Sequence, residues 1–470
     1  MDIGPTNEDC LFLNVWTPAV DTTRSAPARL HPVMFWIHGG GFVFGSGNYP
    51  NYAPTADQAL AMDAVLVSIN YRLGPLGWLA TSELSLDNAE NMTSGNYGLM
   101  DMIAALRWVQ RNIYGFGGDA AAVTLYGQSA GGTATMALMA APAARGLFHR
   151  ALMQSGSARF NTTMREAELD NTYFIKSAGC GGRASAAAGV ACLRAASTAT
   201  LIEAIRWDAY PGWGGGGVSG FPVLNFSWGN LAIVDGTVLL SSPVDAIASG
   251  DPRRASIVPL VIGSTAQETD LFPIRDTRNM TEQAYDALAR RAMAPFGAAV
   301  VNATLALYPR ALGDAELRYT SLSSDIGVNC PNSAFARAIG TSEAWRAHGQ
   351  PLYRYVLTAF PSEAMTMLGS AYPGRYAFHT LDTVYLFNTT RGALAGRALP
   401  TAADRALTRS LRADMGAFVR DGTIGAWTQY PSTMEIGAYG AVSHLGGDYR
   451  AEACAFWESH GFFNYSWAGN

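Results

Sequence analysis

Six mostly apolar runs recur along the chain, and segments with helical spacing lie between several of them. A strand that is apolar along its whole length is buried on both faces, as in a parallel sheet covered by helices. Apolar residues at three-to-four spacing predict a helix over 97–113, and the segment 402–420, rich in Ala, Leu and Arg, predicts a late surface helix. The pattern therefore predicts an α/β fold with a large, mostly parallel sheet flanked by helices. The predicted strands are 32–38, 64–70, 122–127, 150–155, 257–263 and 351–359.

The chain shows no internal repeat with a period of about 20 to 50 residues and no linker that would divide it. We therefore expect one domain over residues 1–470. The glycine-rich stretch 212–220 is typical of a loop. An irregular lobe is expected around 200–235 and 270–350, inserted between strands of the sheet.

Composition excludes several classes of function. The 470 residues carry a formal net charge of −5 and no basic run, which argues against nucleic acid as the main partner. Lys176 is the only lysine, and because it does not follow a glycine-rich turn, a phosphate-binding P-loop is excluded. No apolar run reaches the roughly 18 residues of a membrane span. The five cysteines form no Cys-x-x-Cys pair and the histidines no His-Glu-x-x-His motif, so no metal site is predicted.

Seven Asn-x-Ser/Thr triplets favour a secreted, glycosylated protein. The first ten residues have neither a basic region nor an apolar run, so they contain no signal peptide. These two observations conflict at this level. The triplets begin at Asn91, Asn161, Asn225, Asn279, Asn302, Asn388 and Asn464.

The strongest chemical signal is the pentapeptide Gly127–Gly131, with the sequence GQSAG. It follows an apolar strand and precedes a helical pattern, which is the setting of a nucleophile elbow. The two glycines are needed because a serine on so tight a turn leaves no room for neighbouring β-carbons. The helix that follows directs its N-terminus at the site and favours developing negative charge. We predict that Ser129 is a catalytic nucleophile.

A nucleophilic serine needs donors for the oxyanion that forms. The sequence His38-Gly39-Gly40-Gly41 ends an earlier strand, and glycines there let backbone N–H groups approach a substrate oxygen. The expected donors are the N–H groups of Gly40, Gly41 and Ala130. Loss of one such donor typically lowers turnover by about 10²–10³.

The base and the acid are predicted from chain order, which in this arrangement is serine, acid, histidine. His379 follows the predicted strand 351–359 and is the expected base, with His444 as the alternative if His379 is structural. Glu268 follows the strand that ends at Gly263, and Asp270 is the alternative acid. Such a carboxylate holds the imidazole in its productive tautomer.

Together these motifs resemble those of the type-B carboxylesterase family, which includes cholinesterases and fungal lipases. The resemblance runs nearly end to end and implies an α/β-hydrolase fold, a Ser129–Glu268–His379 triad and no cofactor. The matching segments are EDCLFLNVWTP (8–18), WIHGGGF (36–42), NYRLGPLGWL (70–79), GNYGLMD (95–101), WVQRNIYGFGGD (108–119), VTLYGQSAGG (123–132), MQSGS (153–157), VDG (234–236), GSTAQE (263–268) and FHTLD (378–382).

The resemblance also implies supporting residues. Ser155 and Asp325 match positions that surround the triad, and Arg72 with Asp119 matches a structural ion pair. Family disulfides correspond to Cys180–Cys192 and to Cys330–Cys454, which leaves Cys10 unpaired.

Two departures from the family pattern matter. Gln128 stands before the nucleophile where the family usually has glutamate, which weakens the case for a cationic substrate such as a choline ester. The chain also begins at the EDC motif, so we expect that N-terminal strands, and a partner for Cys10, are missing.

The sequence thus predicts a serine hydrolase that cleaves carboxylic esters, with a small-molecule or lipid ester as substrate. A lipase acting on long-chain acylglycerols is the nearest alternative, and a catalytically inactive or adhesion-type family member is another. We expect a secreted or extracellular location. Oligomeric state and acyl-chain length stay open.

Overall fold

The structure is a computed structural model and describes residues 7–18, 29–158, 162–205, 232–271, 278–367, 373–394 and 398–465. The predicted loop 212–220 lies outside the described residues.

A nine-stranded sheet organises the fold. Its order is β1-β3-β2-β4-β5-β6-β7-β8-β9, and every pairing from β3 to β8 is parallel. The two edge strands β1 and β9 pair antiparallel. The strands are β1 (Leu13–Trp16), β2 (His31–Ile37), β3 (Val65–Ile69), β4 (Gly118–Gln128), β5 (Arg150–Gln154), β6 (Leu260–Thr265), β7 (Leu352–Leu357), β8 (Thr433–Ile436) and β9 (Val442–Leu445).

The six predicted strands are confirmed as β2 to β7. The sequence did not reveal β1, β8 and β9, which have four residues each. β1 and β9 lie at the edges of the sheet and are only partly buried, so they lack a continuous apolar run.

Helices cover both faces of the sheet. Those of the described residues are α1 (Ala56–Met62), α2 (Gly74–Trp78), α3 (Ser82–Asp87), α4 (Tyr97–Asn112), α5 (Ala130–Ala140), α6 (Met164–Asp170), α7 (Thr172–Ser177), α8 (Ala186–Ala195), α9 (Thr198–Glu203), α10 (Pro243–Ala248), α11 (Glu282–Met293), α12 (Ala298–Leu307), α13 (Ala315–Ser324), α14 (Cys330–Thr341), α15 (Glu343–Ala347), α16 (Leu381–Phe387), α17 (Thr390–Ala393), α18 (Ala402–Asp421) and α19 (Ala451–Ser459). Among them none combines the length and apolarity needed to cross a membrane.

Strand β2 shows why these strands are apolar along their whole length. Val33, Phe35 and Ile37 join a core that contains residues of α4 and α5. Met34 and Trp36 point the other way and join a second core, which contains residues of α16 and α18. Successive side chains of a strand face opposite sides, and here each side is covered by helices. The predicted helices 97–113 and 402–420 are confirmed as α4 and α18, and α18 buries one apolar face.

The lobe predicted as irregular is mostly helical where it is described between β6 and β7. Residues 282–347 form the helices α11 to α15, and a π-helical turn, Asp325–Asn329, joins α13 to α14. Helix α13 escaped detection because it is buried although it is rich in polar residues. Hydroxyl groups of this helix donate hydrogen bonds to its own backbone carbonyls: Thr320 donates to Glu316 O at 3.0 Å and Ser323 to Tyr319 O at 2.9 Å. Hydropathy therefore gave no helical period there.

Both family disulfides are confirmed, Cys180–Cys192 and Cys330–Cys454, and Cys10 is a free thiol. The expected Arg72–Asp119 ion pair is wrong. Arg72 follows β3, and its guanidinium binds Asp101 on α4 through two hydrogen bonds of 2.8 Å. Asp119 instead accepts the backbone N–H of Ala121 at the start of β4, at 2.8 Å.

The two disulfides are expected to differ in their effect on stability. Cys330–Cys454 closes a loop with a sequence separation of 124, and Cys180–Cys192 one of 12. Chain entropy then gives stabilisation of about 5 and about 3 kcal/mol, respectively. Replacing Cys330 and Cys454 together by serine should lower the urea midpoint and the melting temperature more than the same change at Cys180 and Cys192. Equal losses would contradict the entropic account.

Candidate functional site

The predicted nucleophile Ser129 lies on a turn that only glycine neighbours permit. It separates β4 from α5 and has φ 61° and ψ −128°, a conformation unusual for a residue other than glycine. A Cβ on Gly127 would lie 2.0 Å from the carbonyl oxygen of Gly131, and one on Gly131 would lie 2.0 Å from that of Ile37. This is the strand–turn–helix geometry of a nucleophile elbow.

The glycine loop after β2 lies against this elbow. A Cβ on Gly39 would lie 2.6 Å from Ser129 Cβ, so the two segments are in direct contact. Gly40 and Gly41 have φ values of 112° and 59°, and the carbonyl of Gly40 accepts N–H groups from the turn that follows. Ala130 begins α5, and the first N–H groups of a helix have no partner within it. The three predicted oxyanion donors therefore belong to two adjoining segments.

His38 is a structural residue of this loop. Its Nδ1 lies 2.7 Å from Gly39 O, and its ring stacks on Tyr71 with centroids 4.4 Å apart. Burial lowers the pKa of His38 to about 4, so the imidazole is neutral near pH 7. Tyr71 also donates to the carbonyl of His38 at 2.7 Å, which fixes the entry to the loop.

The predicted base and acid are in contact. His379 Nδ1 lies 2.5 Å from Glu268 Oε2, and both side chains are buried. Glu268 Oε1 accepts the N–H of Thr265 at 2.8 Å, so each carboxylate oxygen has its own donor. This arrangement holds the imidazole proton on Nδ1 and directs Nε2 away from the acid.

Gln128 contacts the other side of the imidazole. Its amide nitrogen lies 3.1 Å from His379 Nε2, and its Oε1 accepts a hydrogen bond from Tyr52. The Tyr52 hydroxyl in turn accepts the N–H of Gly39 at 3.0 Å. Because Ser129 directly follows Gln128, the structure brings the serine and the histidine to one place. Tyr52 was not predicted, since its role depends only on tertiary contacts.

The alternative site residues lie elsewhere. Asp270 is buried, but its carboxylate faces Arg278 and the backbone of Arg375 and Tyr376 rather than the imidazole. His444 is exposed on β9, where its Nδ1 lies 3.0 Å from Thr428 Oγ1.

The two supporting residues have different surroundings. Ser155 follows β5 beside the elbow, with φ 48°, and its N–H donates to Gly263 O. Asp325 lies in the helical lobe, where Tyr308 donates to it at 2.7 Å and Arg450 at 2.5 Å. The structure thus brings Ser155 near the elbow, whereas the carboxylate of Asp325 is bound by Tyr308 and Arg450.

A second buried carboxyl lies just beyond His379. Asp382 accepts a hydrogen bond of 2.6 Å from Tyr355, whose hydroxyl accepts one of 2.6 Å from Gln154. Burial, with a smaller contribution from the charge of Glu268, raises the pKa of Asp382 to about 6. Sequence motifs marked this region, but only the fold shows that Asp382 is enclosed.

Comparison with known proteins places the chain in a family. The model of the carboxylesterase family matches residues 1–457. The para-nitrobenzyl esterase of Bacillus subtilis (strain 168) is 32% identical over 390 residues, which cover 82% of this chain and 68% of that protein. The fumonisin B1 esterase of Sphingopyxis macrogoltabida is 32% identical over 459 residues, covering 93% and 73%.

Solved structures agree with this assignment. A structure of PNB esterase superposes with a TM-score of 0.70 at 26% identity and covers 95% of this chain and 84% of that chain. The shared fold is that of the α/β hydrolases, with the mostly parallel sheet described above. The chain belongs to the carboxylesterase family and is a hydrolase of carboxylic esters.

Proposed function

We propose that this enzyme cleaves esters through an acyl-enzyme formed on Ser129. The observation that carries the proposal is the 2.5 Å contact between His379 Nδ1 and Glu268, on an imidazole whose Nε2 side adjoins the elbow. Ser129 Oγ attacks the acyl carbon while its proton passes to His379 Nε2, and the resulting tetrahedral species carries the charge on the former carbonyl oxygen.

Collapse of that species releases the alcohol, which takes the proton from His379. Water then attacks the acyl carbon, gives its proton to His379 Nε2, and the acid leaves as the proton returns to Ser129. Glu268 accepts the Nδ1 proton in a hydrogen bond throughout and stabilises the imidazolium.

We propose that the N–H groups of Gly40, Gly41 and Ala130 donate hydrogen bonds to the oxyanion. Backbone donors on a rigid loop and at the start of α5 need no reorganisation as charge develops. The α5 dipole adds to this stabilisation because its positive end faces the same point.

The neutral residues around the nucleophile favour uncharged ester substrates. Burial keeps His38 neutral, and Gln128 supplies an amide where a glutamate would supply a negative charge. A cationic alcohol group would therefore gain no attraction from position 128. An inactive or adhesion-type protein is disfavoured because all three triad positions carry the required side chains.

We further propose that the protein is secreted and glycosylated. Asn91, Asn279, Asn302 and Asn388 are exposed, and two disulfides are formed. Disulfides persist in oxidising compartments.

Produced through a eukaryotic secretory pathway, the protein should lose apparent mass on treatment with an N-glycosidase. Variants with Gln at single sites identify which asparagines are used, and an unchanged mass would contradict glycosylation.

Replacement of Ser129 by alanine should abolish ester hydrolysis without changing the melting temperature by more than a few degrees. The variant lacks the attacking oxygen, and residual catalysis comes only from binding and the oxyanion donors. Hydrolysis is measured on p-nitrophenyl esters from acetate to palmitate, whose ranking also separates an esterase from a lipase. A fluorophosphonate probe should label the wild type at Ser129. Retained turnover in the variant would refute the proposal.

Replacement of Gln128 by glutamate should move the acid limb of the kcat/KM profile to higher pH by about one unit. A carboxylate within hydrogen-bond distance of His379 Nε2 favours the protonated imidazole, which cannot act as a base. Gln128→Met is the matched control because it has similar length and adds no charge. Its acid limb should stay at the wild-type pH even where its rate is lower. If the acid limbs of the kcat/KM profiles of Gln128→Glu and wild type coincide, the expected effect of residue 128 on the His379 imidazole is refuted.

A further inference from the structure

The segment that carries His379 is held by the segment that carries Glu268, and Asp270 supplies two of the contacts. We propose that Asp270 is a positioning residue for His379, a role that rests on the ester hydrolysis proposed above. Its carboxylate does not touch the imidazole. It acts on the backbone at the start of the histidine segment, residues 375–379.

The backbone N–H groups of this segment can be followed one by one. Those of Arg375 and Tyr376 both donate to Asp270 Oδ2, at 2.5 and 2.9 Å. That of Ala377 donates to Gln267 Oε1 at 3.3 Å, and that of His379 to Glu268 O at 3.3 Å. Phe378 N–H remains within the segment and donates to Tyr376 O at 2.8 Å. Four of five consecutive donors therefore end on residues 267–270.

Asp270 is suited to this role because it is fully buried and charge-compensated. Its exposed fraction is 0%, so no solvent water competes with it as an acceptor. Arg278 lies 3.3 Å from Asp270 Oδ1 and donates to Asp270 O at 2.8 Å. Burial raises the pKa of the Asp270 carboxyl above its ordinary value, and the two N–H groups, Arg278 and Arg375 offset only part of this shift.

A second carboxylate, that of Glu316, joins the two segments through arginine side chains rather than through backbone N–H groups. Glu316 on α13 accepts hydrogen bonds from both Arg278 and Arg375. Arg375 is thus held twice, through its N–H by Asp270 and through its guanidinium by Glu316. The histidine segment is fixed to the acid segment and to α13 together.

The acid segment is itself anchored to α13. Thr269 N–H donates to Ser324 Oγ at 3.2 Å, and Gln267 Nε2 donates to Ser321 Oγ at 3.3 Å. The polar face of this buried helix therefore forms a fixed support. A change at Asp270 would remove two of the four backbone hydrogen bonds that join the histidine segment to this support, while the support itself stays in place.

The expected consequence is a loss in kcat with little change in KM. Asp270 contacts no residue proposed to bind the ester, but it sets where His379 stands relative to Ser129 and Glu268. A displacement of about 1 Å in a catalytic group lowers the rate by about 10²-fold. A purely structural residue would instead lower the melting temperature and leave the kcat of the folded enzyme unchanged.

The test compares three variants on p-nitrophenyl acetate, with active-site titration by a fluorophosphonate to count assembled sites. Asp270→Ala should lower kcat by about 10²-fold, with KM within about twofold of wild type. Asp270→Asn loses the charge but keeps an acceptor for both N–H groups, so it should recover at least about tenfold of that loss. The matched control is Asp235→Ala.

Asp235 is also a carboxylate that accepts several backbone N–H groups, and none of these belongs to a segment that carries a triad residue. Its Oδ1 accepts the N–H groups of Thr237, Val238 and Leu239 at 3.0, 2.9 and 2.9 Å. Asp235→Ala should lower the melting temperature while kcat stays within about twofold of wild type. If Asp270→Ala behaves like this control, the positioning role is refuted.

Two further arrangements keep the outcome decisive. If Asp270→Ala yields no folded protein, Asp270→Glu is compared with Asp270→Asn, because glutamate keeps the charge and displaces the acceptor by one methylene. Glutamate should then lose more kcat than asparagine, and the reverse order would overturn the proposal. Wild type and Ser129→Ala are assayed in parallel. If wild type hydrolyses the ester and Ser129→Ala does not, a negative result at Asp270 refutes only the positioning role.

Discussion

Three backbone segments meet at Ser129 at distances that leave no room for a side chain. The end of β2 touches Gly131, the start of α5 touches Gly127, and Gly39 touches the serine itself. Since these neighbours are backbone atoms or the Cβ of Ser129, a rotamer change cannot make room for a substitution at one of these glycines. The positive φ of Ser129 persists because its surroundings permit no other path. The glycine loop, the elbow and the start of α5 are consequently one rigid unit.

The parallel sheet brings distant residues to this unit. Strands β2, β4, β5 and β6 run in one direction, so the residues that follow them emerge at one edge. That edge receives Ser129 after β4, Ser155 after β5 and Glu268 after β6. His379 is different, since it lies well beyond the end of β7, and hydrogen bonds from its segment to residues 267–270 bring it back. The triad geometry therefore depends on the sheet for two members and on loop contacts for the third.

This difference explains what the sequence predicted well. The central strands could be predicted because helices cover both faces and make them apolar throughout. The motifs around Ser129 and Glu268 follow strand ends, whereas His379 was assigned from chain order. The polar helix α13 was missed because buried hydroxyls there bind the helix's own carbonyls, which hydropathy does not register. Partners were the least predictable feature: Arg72 binds Asp101 rather than Asp119, and the contacts of Tyr52 and Asp270 exist only in three dimensions.

The effect of a charge at position 128 depends on the carboxyl groups already present near His379. Glu268 and Asp382 are both buried next to His379, and the charge of Glu268 already raises the pKa of Asp382. Because that pKa is about 6, against a usual value near 4, ionising Asp382 opposes folding as the pH rises through this range. A glutamate at 128 would place a second carboxylate within hydrogen-bond distance of the imidazole and a third one in its surroundings. Glutamine makes the hydrogen bonds to Tyr52 and His379 and adds no further negative charge to this buried set of carboxyl groups.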